Sequence, residues 1–109
     1  MLRWSAETTG RPIDVGAVAE PGIDPRVPGG RELVALARAA VTTAADGRAL
    51  DRLADVLGEP AAVDAACVAA AFEGFNRIVD ATGLPMTRAR RAELAEVIEV
   101  LGLHRFPHA

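Results

Sequence analysis

Residues 61–82, AAVDAACVAAAFEGFNRIVDAT, hold no proline and read as one long helix whose patterning decides the fold. From Ala61 to Phe72 every position except Asp64 is apolar, which predicts a helix in the middle of a bundle. Asp64 falls in the first turn or so, where a carboxylate complements the helix dipole. Val68, Phe72, Phe75 and Val79 form one row at three-and-four spacing, and Cys67, Ala71, Gly74 and Ile78 form the row beside it. A glycine inside a helix costs about 1 kcal/mol relative to alanine. Gly74 therefore points to a close approach by another helix, from the same chain or a second copy, with the phenylalanines filling the space alongside. Ala71, Phe72, Gly74, Phe75 and Ile78 are the predicted interface residues, and a homo-oligomer is the predicted partner state.

Working outward, Gly83 suits a left-handed cap and Leu84-Pro85 turns the chain away. Beyond it Thr87 is a good N-cap for a fourth helix that faces Leu94, Val97, Ile98 and Leu101 inward and stops at Gly102. Upstream, the stripe Leu33, Leu36 or Ala37, Ala40 or Val41, and Ala44 predicts a first helix ending near Asp46-Gly47, and Leu50, Leu53, Ala54 and Leu57 a second ending at Gly58-Glu59-Pro60. Residues 1–30 carry four of the seven prolines and five of the ten glycines, with no sustained apolar period. They predict an extended or loop-like arm, either disordered or, as favoured by Trp4, Ile13, Val15, Val18 and Ile23, docked on a helical body or on a neighbouring subunit. The helical domain then occupies residues 31–106, with Phe106 anchoring the tail.

Composition agrees with an all-α bundle of about four helices. The chain has 109 residues, enough for one domain with a core, and half of them are hydrophobic, with alanine prominent and only four aromatics. Closely packed helices suit such side chains better than sheets do. All twelve basic residues are arginine and the net charge is -3. That balance argues against a nucleic-acid groove or an anionic membrane surface, both of which need a local positive excess. No apolar run reaches the roughly 18 residues of a membrane span, and the first residues lack the apolar core of a signal peptide. A single cysteine excludes an internal disulfide or CxxC pair and fits a cytoplasmic location.

The candidates for chemistry are few. Glu73, Asn76, Arg77 and Asp80 share the polar side of the long helix. They form either a solvated ion pair, Glu73 with Arg77 four residues on, or a cluster in which Arg77 and Asn76 hold a small anionic ligand while Glu73, Asp80 or a histidine moves a proton. Cys67 is expected as a small buried hydrophobe; a nucleophilic role would need an adjacent base. His104 and His108 are four apart, but Gly102 and Pro107 break the helix that metal binding would need, so no metal or other cofactor is expected. Arg88, Arg90 and Arg91 crowd a helix N-terminus against its dipole, which calls for acidic partners such as Asp51, Asp55 and Glu59, or for an anion.

The string FNRIVDATGLP at 75–85, followed by LGLHRF at 101–106, resembles the carboxy-terminal half of the alkylhydroperoxidase D-like, or carboxymuconolactone decarboxylase-like, helical proteins. With ELVALARAAVTTAADGRALDRLADVLGEPAAVDAA upstream, the likeness covers about residues 31–106. It implies an all-helical unit that assembles into homo-oligomers through apolar helices. The peroxidatic members carry CxxC followed after three residues by His on an earlier helix. Here Cys67 is single and on a later helix, with Ala70 and Ala71 where a partner would be sought, so that activity does not carry over. The sequence thus predicts a homo-oligomeric binding or structural module, with a cofactor-free decarboxylase or isomerase acting on a small anion at a subunit boundary as the alternative.

Overall fold

A computed structural model describes residues 2–42 and 47–105, and in these the chain is all-α, with six helices, two 3-10 turns and no strand. The helices are α1 (Leu2–Thr9), α2 (Gly30–Ala40), α3 (Arg48–Leu57), α4 (Glu59–Thr82), α5 (Arg88–Glu93) and α6 (Ala95–Val100). The chain divides into two compact units, one formed by Pro28–Leu84 and the other by Met1–Val27 with Pro85–Ala109.

The first unit packs α2, α3 and α4 against one another. Its fully covered centre is small: Leu53 and Ala62 are wholly buried and Ala49 nearly so. Leu53 is the only large side chain among the described residues with no exposure. α2 stops at Ala40, six residues short of the predicted Asp46, although Ala44 and Asp46 themselves lie outside the described residues. Val41 and Thr42, whose β-branched side chains lose rotamer freedom in a helix, stand at the stop. The Thr42 hydroxyl also donates to the Ala39 carbonyl (3.1 Å), occupying a group left open at the helix end.

α3 and α4 meet at one residue. Gly58 is both the C-cap of α3 and the N-cap of α4, with φ 87° and ψ 156°, a conformation that belongs almost solely to glycine. Pro60 sits in the first turn of α4, where its missing N–H costs nothing. The long helix consequently starts at Glu59, two residues before the predicted Ala61, and runs to Thr82 as predicted. Gly83, at φ 63°, ends it, and the amides of Gly83 and Leu84 both turn back to the Val79 carbonyl.

In the second unit the predicted fourth helix is present as two short ones. Thr87 caps it as predicted, its hydroxyl oxygen accepting from the Arg90 amide (3.2 Å), but Leu94 at φ -98°, ψ 8° separates α5 from α6. The stretch read as an extended arm also differs, because Leu2–Thr9 is helical and Val15–Val18 forms a 3-10 turn. Asp14 starts that turn by accepting the Gly16 amide (2.9 Å). The turn docks on α6, burying Gly16 and Ala17 and half-burying Ile13, Val15 and Ile23, whereas Val18 stays exposed. Phe106 and His108 lie outside the described residues. Among those residues no helix is long and apolar enough to cross a membrane.

Candidate functional site: the uncovered face of the long helix

The residues of α4 that lose exposure are Ala61, Ala62, Ala65, Ala66, Ala69 and Glu73, mostly at the three-and-four spacing of one helical side. This is the side turned to α2 and α3, and it is lined with methyl groups so that the three helices approach closely. Continued toward the C-terminus, the same side becomes Glu73, Asn76, Arg77 and Asp80. The change from alanine to charge marks where α4 outruns its neighbours, and from Gly74 to Thr82 every residue is exposed.

The adjoining sides carry the large apolar residues, and among the described residues these stay exposed. Val68 is 57% exposed, Phe72 51%, Phe75 62%, Ile78 61% and Val79 42%. The prediction that α4 runs through the middle of the bundle is thus corrected within a single chain: the alanine side is packed and the bulky side is open. Periodicity could not separate these cases, because an apolar residue all round a helix says that every side is to be covered, not by what. Phe72 and Phe75 pack edge to face on each other, their centroids 6.5 Å apart. Val68 and Val79 extend the row beyond the five predicted interface residues, and the four-three-four spacing was the signal for them.

Cys67 is exposed beside this row, which corrects its expected burial. Gly74 has open space around it, with nothing within 4 Å of a Cβ placed there, so no helix among the described residues requires its smallness. Ala71 is exposed between Cys67 and Gly74.

The polar side holds an ion pair. Arg77 Nε donates to Glu73 Oε1 at 2.9 Å, with the Arg77 side chain 75% exposed and that of Glu73 25% exposed. Asn76 and Asp80 are exposed beside them. The arrangement is that of a solvated i, i+4 pair, worth about 0.2–0.5 kcal/mol. In the other unit Arg90 bonds Glu93 within α5 (2.8 Å), which answers part of the crowding of arginines at that N-terminus. His104 Nδ1 lies 3.7 Å from Glu99 Oε2. Among the described residues no three His, Cys, Asp or Glu side chains are grouped to hold a metal.

A groove of about 210 Å³ lined by Ile13, Val15, Glu96, Val97 and Val100 lies between the 3-10 turn and α6. It is smaller than the roughly 300–1,000 Å³ of ordinary ligand pockets, and none of the predicted site residues lines it. The open apolar face of α4, with two exposed phenylalanines, is the candidate surface. No known family model, curated protein or solved structure matches the chain.

Proposed function

We propose that this protein is a homo-oligomeric helical module that associates through the large apolar side of α4 and acts by binding or scaffolding. The observation that carries this is the solvent exposure of Val68, Phe72, Phe75, Ile78 and Val79 on one side of a helix whose other side is packed. A monomer gains nothing from two phenylalanines in water, and a contiguous patch of this kind marks an interaction surface.

Magnitudes favour a partner that is itself apolar. Covering the exposed half of each of these five side chains contributes about 1 kcal/mol, or about 5 kcal/mol for one copy and about 10 kcal/mol for two. Association costs about 4–15 kcal/mol in lost freedom of motion. One row laid on polar surface falls near the bottom of that range, whereas two rows laid together reach its middle. A second copy supplies such a row. The likeness of residues 75–85 to the alkylhydroperoxidase D-like proteins fits the same reading, as helical units that assemble through apolar helices, with no redox chemistry attached to Cys67.

The test is the mass of the wild-type chain and of Phe75→Asp by light scattering across the soluble concentration range. Wild type is expected at a multiple of the chain mass and Phe75→Asp at the chain mass. Wild type at the chain mass throughout overturns the proposal.

A further inference from the structure

The exposed row has a symmetry that a helix meeting an unrelated partner has no need of. Val68, Phe72, Phe75 and Val79 are spaced four, three and four, with valine at both ends and phenylalanine at both inner places, so the row reads the same in either direction. Its centre falls between Glu73 and Gly74. Glu73 is also the last residue of α4 that is not fully exposed, so the centre of the row coincides with the place where exposure of the helix becomes continuous.

On the strength of the association proposed above, we infer that two copies of α4 pair antiparallel about a two-fold axis passing between Glu73 and Gly74. Such a pairing brings residue with residue in reversed order. Val68 of one copy meets Val79 of the other, and Phe72 meets Phe75, twice over. The four-three spacing is that of a coiled-coil seam, which keeps the row on the contact line along its whole length. On one flank the large Ile78 comes beside the small Ala71 of the second copy. The emergent half of each helix lies along the sheltered half of the other.

A parallel pairing also matches like with like, but it does so for any sequence and leaves the reversal symmetry without a use. It also sets Asp64, which lies on the same side of α4 as Phe75, level with its own copy across the seam. The two carboxylates then lie at the same height, where like charges repel. In the antiparallel pair they are about 28 Å apart along the axis, at 1.5 Å per residue, and do not feel each other. The area is sufficient: the five exposed side chains leave on the order of 500 Å² open per copy. Buried completely on both copies they amount to roughly 1,000 Å², the lower limit of a specific interface.

Disulfide trapping in the full-length chain tests the geometry. Cys67→Ser removes the exposed native thiol, and Val68→Cys and Val79→Cys are each placed in that background. In the antiparallel pair the two copies of position 68 are about 16 Å apart, beyond disulfide reach, while position 68 meets position 79. Mild oxidation is expected to give a covalent dimer on mixing the two variants and none with either alone. Covalent dimer from each variant alone, with nothing gained on mixing, establishes parallel pairing and overturns the inference while leaving the association intact. Light-scattering mass at a multiple of the chain with no covalent dimer in any sample also overturns it, since the copies then meet elsewhere. A wild-type chain that stays monomeric is a different failure, that of the association itself.

Discussion

The ring of Phe72 meets that of Phe75 edge to face at 82°, although both residues are more than half exposed. Aromatic pairs in this arrangement contribute about 0.5–1.5 kcal/mol beyond their burial, and exposure places this one at the low end. A double-mutant cycle with Phe72→Ala and Phe75→Ala, measured by urea unfolding at high dilution, is expected to give a coupling of about 0.5 kcal/mol. At concentrations where the chain associates, each single change is expected to cost more, because each then also removes a contact with the second copy.

Gly74 separates folding from association. With nothing within 4 Å of a Cβ at that position, Gly74→Ala is expected to stabilise the dilute chain by about 0.8–1 kcal/mol through helix propensity alone. Gly74→Leu is expected to keep most of that gain and to leave the associated fraction unchanged, because at about 100° per residue Gly74 lies well round the helix from the Val68, Phe72, Phe75 and Val79 seam. Urea midpoints and sedimentation velocity read the two effects independently.

At Gly29 the expected effect is the reverse. A Cβ there would lie 2.7 Å from both Cγ and Cδ1 of Leu57, and the backbone φ of 64° is itself disfavoured for any other side chain. Gly29→Ala is expected to destabilise by about 2–4 kcal/mol, from overpacking together with the left-handed backbone penalty. Thermal unfolding followed by circular dichroism checks it.

Leu53→Ala is expected to cost about 2–5 kcal/mol. The high end applies if the space left beside Ala49 and Ala62 stays open, since neither alanine has atoms with which to fill it. A cooperative urea transition that survives with its midpoint unchanged would show that the three-helix unit draws its stability from elsewhere.

Arg77→Ala is expected to change stability by about 0.2–0.5 kcal/mol, and less at high salt, because its ion pair with Glu73 is mostly in water. No loss of association is expected. A thermal-shift screen with small carboxylates is expected to leave wild type and Arg77→Ala unmoved alike; stabilisation confined to wild type would revive Arg77 and Asn76 as an anion site.

Local signals in the sequence carried most of the fold. Thr87 as a cap, Gly83 as a terminator and Pro60 in a first turn act through bonds to near neighbours, and each is found in place. The break at Leu94 carries no glycine or proline to announce it, and the stop of α2 at Ala40 rests on no stronger signal than Val41 and Thr42. The site was legible only in part. Phe72, Phe75 and Ile78 stood out as an apolar face, but which side of α4 the chain itself covers depends on whether α2 and α3 dock on methyl groups or on rings. That choice is tertiary, and a helix apolar all round gives no hint of it. Cys67 was misplaced for the same reason.

The corner at Gly58 has a mechanical consequence. Because one residue joins α3 to α4, the direction in which the 24-residue rod leaves its base hangs on a single pair of torsions. A side chain at that corner would re-aim the rod without touching any residue along it. The bearing of its hydrophobic seam is therefore set some ten residues before the seam begins, by an atom that glycine lacks.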